Sequence, residues 1–295
     1  MRPQNKNTEP MKIVRLLLLI AVAALLFSCH GKKTEEVGVQ PLAKQTTLQA
    51  DGVMGKVKLI IEKKYMRIPT TDSVALYAIH YQYFNENGWI LKDVITNDAN
   101  DTIFNTHVTY NAQGIMVKRE TCDSTHSITE HTDFQIDKNG YRIKETTYKG
   151  DSLATEITYK NDAAGNVLEM SVQTTNLCIL KYTYDGPFYG LPTRIDQCGH
   201  DGRMFMYITM DYNDRGQLVN RRAFSASGAE VESSHSQYAE NGALMKQTHE
   251  LMLQSLQKRD LCTFENHDKH GNWLKQKMLR QGELHYIIER TIEYY

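Results

Sequence analysis

Charge of either sign in excess is missing from this chain. Its 34 Lys and Arg stand against 35 Asp and Glu, a net charge of −1 in 295 residues, so no overall field draws it to nucleic acid or to an anionic membrane. Proline is scarce at six residues, and the mean hydropathy of −0.51 with 17 tyrosines excludes both a membrane-embedded and a low-complexity chain. There is no His-Glu-x-x-His, Gly-x-Ser-x-Gly, phosphate-binding loop or Cys-x-x-Cys, so no catalytic, metal or cofactor motif is legible, and none is expected. The five cysteines are too sparse for a disulfide scaffold. Long apolar runs are also absent, since Leu16 to Phe27 covers a dozen residues and falls short of the roughly 20 needed to span a bilayer as a helix.

That short run sits in an informative context. Lys12 and Arg15 precede it and Leu26-Phe27-Ser28-Cys29 ends it, with a small residue directly before the cysteine. The pattern resembles a bacterial lipobox, which implies cleavage after residue 28 and diacylation of Cys29. Each buried methylene of such a lipid adds about 0.8 kcal/mol, enough in two or three chains to tether a protein that does not span. Residues 29–50 then read as a polar, flexible spacer, with Lys32, Lys33, Glu35, Glu36 and Pro41 and almost no aromatic side chains. Acidic residues soon after the cysteine resemble, loosely, the surface-export signals of Bacteroidetes lipoproteins.

From residue 51 to 295 the chain repeats. Gly88, Gly114, Gly140, Gly165, Gly190, Gly216, Gly242 and Gly271 are separated by 26, 26, 25, 25, 26, 26 and 29 residues. An aromatic residue and an Asn, Asp or Glu usually precede each glycine, as in Tyr110-Asn111 and Tyr212-Asn213-Asp214, which places turn formers directly after a strand former. Three positions past each glycine stand Leu91, Val117, Ile143, Leu168, Thr193, Val219, Met245 and Leu274. One position further stand Lys92, Lys118, Lys144, Glu169, Arg194, Asn220, Lys246 and Lys275. Neighbouring strand residues face opposite ways, so the first column is expected to turn inward and the basic column outward. Runs such as Lys181-Tyr182-Thr183-Tyr184 supply the second strand of each period. Gly55-Lys56-Val57-Lys58 and Thr291-Ile292-Glu293-Tyr294 read as incomplete terminal copies.

The fold class that follows is all-β: a long antiparallel meander of about eight two-stranded repeats behind an N-terminal signal helix. Some sixteen strands at about 4.8 Å spacing would extend roughly 75 Å, and open sheets beyond about ten strands curl or close, so the meander is expected to roll up. Insertion as a membrane barrel is disfavoured because the outward column is charged. Phe84-Asn85-Glu86-Asn87-Gly88-Trp89-Ile90, Tyr110-Asn111-Ala112-Gln113-Gly114-Ile115-Met116 and Tyr212-Asn213-Asp214-Arg215-Gly216-Gln217-Leu218 resemble the Tyr-Asp-x-x-Gly-x-Leu signature of YD (RHS-type) repeats. That resemblance implies a spiralling β-sheet; the period here is several residues longer, and no cargo domain for a shell to enclose is evident.

Several smaller patterns have a bland reading and a sharp one. Cys178 and Cys198 fall near enough in a hairpin register for a disulfide, against four free thiols at Cys122, Cys178, Cys198 and Cys262. Asp211 to Gly216 begins like a calcium loop but has Arg215 at a ligand position, and His267, Asp268 and His270 read as an exposed turn before they read as a metal site. The basic column reads as a solvated face answered by acids such as Glu156, Asp211 and Glu293. Ser73, Thr102, Ser124 and Ser152 lie in Asp72-Ser73-Val74, Asp101-Thr102-Ile103, Asp123-Ser124-Thr125 and Asp151-Ser152-Leu153, which resemble the Asp-Ser/Thr-apolar O-glycosylation signal of exported Bacteroidetes proteins; the alternative is plain turn chemistry.

The expectation is a non-enzymatic, lipid-anchored cell-envelope protein of the outer membrane, periplasmic or surface-facing, whose repeat sheet meets a glycan or protein partner and no nucleic acid. The alternative is an envelope glycan-active enzyme with carboxylates from separate repeats about 5 to 9 Å apart in a cleft.

Overall fold

The computed structural model describes residues 46–295 except 72, 126, 174–177 and 254–255. The signal helix, Cys29 and Asp72 lie outside the described residues. Eighteen strands follow a single helical turn, α1 (Thr47–Ala50). They are β1 (Val57–Arg67), β2 (Val74–Phe84), β3 (Ile90–Asn97), β4 (Thr102–Tyr110), β5 (Met116–Asp123), β6 (Ile128–Ile136), β7 (Arg142–Lys149), β8 (Ser152–Asn161) and β9 (Val167–Gln173). The second half comprises β10 (Cys178–Thr183), β11 (Arg194–Gly199), β12 (Met204–Tyr212), β13 (Leu218–Ser225), β14 (Glu230–Tyr238), β15 (Leu244–Leu253), β16 (Leu256–Glu265), β17 (Lys275–Arg280) and β18 (Glu283–Tyr294). Each strand pairs antiparallel with its sequence neighbours. β18 also pairs with β1, from Val57↔Tyr294 to Met66↔Tyr286, so the meander closes into a barrel.

Each part of the repeat signature has a mechanical role. Asn85, Asn111, Asp137, Asp162, Asn213 and Asp268, three residues before their glycines, each accept hydrogen bonds from the backbone N–H groups two and four residues on. These Asx turns replace the ladder bonds that the bend removes. The eight glycines then take φ between 73° and 91°, a region in which a Cβ is strained. At Gly165 the close approach is decisive as well, because a Cβ there would stand 2.3 Å from the ring of Tyr141 in the preceding repeat.

The tyrosines tie one repeat to the one before it. The hydroxyls of Tyr110, Tyr184, Tyr212 and Tyr238 donate to the carbonyls of Ile90, Val167, Pro192 and Leu218, at 2.5, 2.9, 2.8 and 3.0 Å. Asn161 and His267 make the equivalent bonds to Arg142 and Leu244 where tyrosine is replaced. All six acceptors lie two residues past a repeat glycine, so the glycine-turn rim is stitched by side chains as well as by the sheet.

The expected inward column is corrected here. In six glycine hairpins a β-bulge falls three residues past the glycine: Met116 faces Tyr110 and Lys118 faces Thr109, which leaves Val117 as the extra residue, and Leu91, Ile143, Leu168, Val219 and Met245 are skipped in the same way. A bulge re-aims its extra residue and tightens the local twist, which helps a long sheet to roll shut. Leu91, Ile143, Leu168 and Met245 are accordingly 38% to 45% exposed. Beyond the bulge the alternation resumes. The inner face carries cross-strand rows such as Tyr182, Ile195, Ile208 and Ala223, and the outer face carries the basic column.

The inner face packs into two apolar clusters. One joins Leu180, Ile195, Ile208, Met210, Leu218 and Ala223. The other joins Val57, Ile60 and Phe84 to Leu48 and Val53 of the N-terminal segment. Thr46 and Gln49 form a capping box on α1, Leu48 donates its N–H to the Gly88 carbonyl, and Met54 exchanges hydrogen bonds with the side chain of Asn272. Residues 46–50, assigned to the spacer by composition, thus belong to the folded body and cover the barrel seam at the glycine-turn rim.

Candidate functional site

Two charged groups occupy the inner face. The first lies at the seam. Arg290 on β18 donates twice to Glu62 Oε1 on β1, at 2.9 and 2.6 Å, and its guanidinium stacks 3.4 Å over the Trp273 ring. His80 on β2 stands between two carboxylates, with Nε2 2.5 Å from Asp93 Oδ1 and Nδ1 3.7 Å from Glu62 Oε2. Burial works against charge on both His80 and Glu62, but mutual pairing wins. His80 is held up at about 9 by Asp93 and Glu62, and Glu62 is held down at about 2 by His80 and Arg290. Asp51, which follows α1, is pushed up to about 6 by burial and by the Glu62 and Asp93 carboxylates, against the pull of Arg290 and His80.

The second group spans β13 to β17. Arg221 is 2% exposed and donates to Glu232 Oε1 at 2.5 Å, while His249 Nε2 lies 3.3 Å from the same oxygen. Arg221, Ser234, His249, Asp260 and Arg280 are successive cross-strand partners, and Arg280 holds Asp260 through two bonds of 3.0 and 2.8 Å. Burial raises Glu232, but His249 and Arg221 bring it below its ordinary value; Arg280 does the same for Asp260. His80 thus stands between Asp93 and Glu62, and in the second group Arg221 and His249 share Glu232 while Arg221 Nε is buried without a hydrogen-bond partner.

The outer wall is convex and charged. Lys118 pairs with Glu120 at 2.6 Å, Lys144 with Glu156 at 2.7 Å, Arg194 with Asp196 at 2.7 Å and Lys275 with Glu289 at 3.1 Å, so much of the basic column is answered locally. A bilayer-spanning barrel presents an apolar band about 25 Å tall, whereas the described part of this wall carries these pairs together with Lys160–Glu169, Arg222–Asp211 and Arg259–Glu250. No helix among the described residues is long and apolar enough to cross a membrane.

The remaining sequence candidates fall as follows. The eight repeat glycines all sit at one rim. Ser73, Thr102, Ser124 and Ser152 all sit at the other, Ser73 and Ser124 in the connections from β1 to β2 and β5 to β6 and Thr102 and Ser152 as the first residues of β4 and β8, with Ser73, Ser124 and Ser152 exposed and Thr102 half-buried. Cys122, Cys178, Cys198 and Cys262 are free thiols; Cys178 faces Gly199 and Cys198 faces Ile179, so the supposed pair is one residue out of register and on opposite faces. The Asp268 carboxylate accepts from the Tyr294 hydroxyl and the Asn272 amide, and His267 bonds the Leu244 carbonyl, which makes that cluster a turn. Asp211 meets Asn220 and Arg222. Among the described residues no three His, Cys, Asp or Glu side chains converge as metal ligands do.

Sequence reading missed Glu62, His80, Arg221, Glu232 and Arg290. For Arg221 a signal was available, since four of the eight repeats carry charge five residues past the glycine, at Asp93, Arg119, Glu145 and Arg221; Glu62, His80, Glu232 and Arg290 have no such mark.

No protein-family model and no curated protein matches the chain. Among solved structures, a TcdB2-TccC3-Cdc42 chain is 12% identical with a TM-score of 0.38 over 77% of this chain and 14% of that one. A Photorhabdus luminescens Tc holotoxin pore chain gives 12%, 0.37, 78% and 13%. A porin-like protein from Bacteroides uniformis gives 13% and 0.44 over 86% of this chain and 100% of that one. The chain spans about one seventh of the TcdB2-TccC3 chain. The pairing of β1 with β18 is what closes the barrel.

Proposed function

We propose that this is a non-enzymatic cell-envelope protein, tethered to the outer membrane through acylated Cys29, whose hairpin barrel presents a binding or scaffolding surface to a glycan or protein partner. The observation that carries it is the wall: an unbroken convex sheet whose outer charges are largely answered by neighbours, around an interior in which His80 and His249 are engaged by carboxylates. A surface of this kind binds by area and pattern, without a reactive centre. The four acceptor positions Ser73, Thr102, Ser124 and Ser152 fit O-glycans carried at the rim opposite the glycine turns, and intact mass of the natively expressed protein tests them: added hexose masses are expected, and a bare mass removes the idea.

A glycan array probed with the full chain tests the main reading. Retention of a glycan class without turnover supports it, silence directs the search to protein partners by proximity labelling in cells, and hydrolysis of any arrayed glycan overturns the non-enzymatic reading. Labelling with an alkynyl fatty acid, lost in Cys29→Ser, tests the anchor independently.

A further inference from the structure

Both rims of the barrel expose apolar side chains, and the glycine-turn rim is the one at which the N-terminal segment joins the folded body. Leu91, Ile143, Leu168 and Met245, re-aimed by their bulges, form an interrupted apolar ring around that rim, and Tyr189 adds a 55% exposed ring at the tip of the β10 to β11 connection. One residue behind the apolar positions stand Lys92, Lys144 and Lys246, with Lys118, Arg194 and Lys275 in the same column. The chain also enters the folded body at this rim: Thr46 and Leu48 lie against Gly88, and Leu48 donates to its carbonyl.

We propose that this rim seats on the surface of the phospholipid bilayer, with the bulge side chains and Tyr189 in the headgroup boundary and the basic column level with the phosphates. The proposal rests on the lipid-anchor reading, which leaves residues 29–45 as the only chain between the acyl groups and Thr46. Seventeen residues reach at most about 60 Å, so an acylated Cys29 would keep this rim within that distance of the bilayer. Long basic side chains beside an apolar ring suit an interface because their stems add apolar contact while their heads stay wet. Several of these bases are already paired with acids, so the apolar ring, more than charge, sets the contact. The opposite rim also exposes Val74, Ile103, Ile128 and Leu153, but it lies at the far end of the strands from the point where the tether emerges.

The test uses full-length lipidated protein in phosphatidylethanolamine and phosphatidylglycerol vesicles doped with brominated phosphatidylcholine. Tryptophan emission is compared for Leu91→Trp, Leu168→Trp and, at the opposite rim, Leu153→Trp, each against the parent with its native Trp89 and Trp273. An interfacial seat sinks side chains about 5–10 Å into the headgroup boundary, so quenching of the added emission in L91W and L168W is expected to exceed that in L153W by about twofold or more. Vesicle flotation with equal or negligible quenching in all three leaves the anchor standing and overturns the seat. Stronger quenching in L153W overturns it in favour of the other rim. Failure to float overturns anchor and seat together.

Discussion

Arg221 inside the wall and Lys144 outside it are both cations paired with a glutamate, and the two pairs are unlike in what they do. Arg221 is almost fully enclosed and shares Glu232 with His249, whereas Lys144 and Glu156 are each about 30% exposed and meet across a solvated face. Removing one member of an enclosed pair strands the other without solvent, while removing one member of a surface pair returns the other to water. The inner face therefore carries mixed apolar and ionic structure that the fold depends on, and the outer face carries charge that water solvates.

The difference can be broken most directly by truncation. Arg221→Ala is expected to lower unfolding stability by about 3–5 kcal/mol, and Lys144→Ala by no more than about 1 kcal/mol, in urea titrations. Equal effects would mean that the two faces have been assigned wrongly.

The seam group gives the contrast a pH dependence. His80 is raised from 6.5 to about 9, so its contribution is complete below pH 6.5 and lost as pH rises through 9. Glu62 is lowered from 4.5 to about 2, so its contribution is complete above pH 4.5 and lost as pH falls towards 2. Asp51, raised from 3.8 to about 6, opposes folding increasingly between those values as it ionises. Thermal unfolding from pH 6 to 10 is expected to show an alkaline decline that His80→Gln abolishes; an unchanged decline in the variant would show that other groups cause it.

Two smaller effects sharpen the account of the rims. Gly114→Ala, with nothing within 4 Å, is expected to meet only the backbone penalty of about 1–2 kcal/mol, whereas Gly165→Ala adds a Cβ clash with Tyr141 to that penalty and is expected to cost clearly more. Tyr212→Phe removes the hydroxyl that caps the Pro192 carbonyl and is expected to cost about 1 kcal/mol. Indistinguishable melting of the Phe variant and the parent would show that the stitching between repeats is incidental.

Much of this architecture was legible because each residue of the signature acts locally. The Asx residue, the glycine and the aromatic residue can be read in one window, and their spacing gives strands, turns and a sheet too long to stay open. The two incomplete copies at Gly55 and Thr291 were visible too, although their pairing across the seam, which raises the count from sixteen strands to eighteen, is a contact between chain ends that no local window holds. Leu91, Ile143, Leu168 and Met245 misled because an alternation count has no term for an inserted residue, and the bulge in six of the eight glycine hairpins re-aims that position while leaving Lys92 and its column outward. The inner charges were missed for a related reason. Glu62, His80 and Asp93 come from the first three strands and Arg290 from the last, and only closure brings Arg290 to the other three.

Closure can be measured by amide hydrogen exchange resolved along the strands of the full chain. In a closed barrel β1 and β18 have neighbours on both sides, and their central amides are expected to be as strongly protected as those of β12 and β13. Fast exchange along β1 and β18, with protection retained in the middle of the chain, would mean that the sheet has two free edges and that no barrel forms.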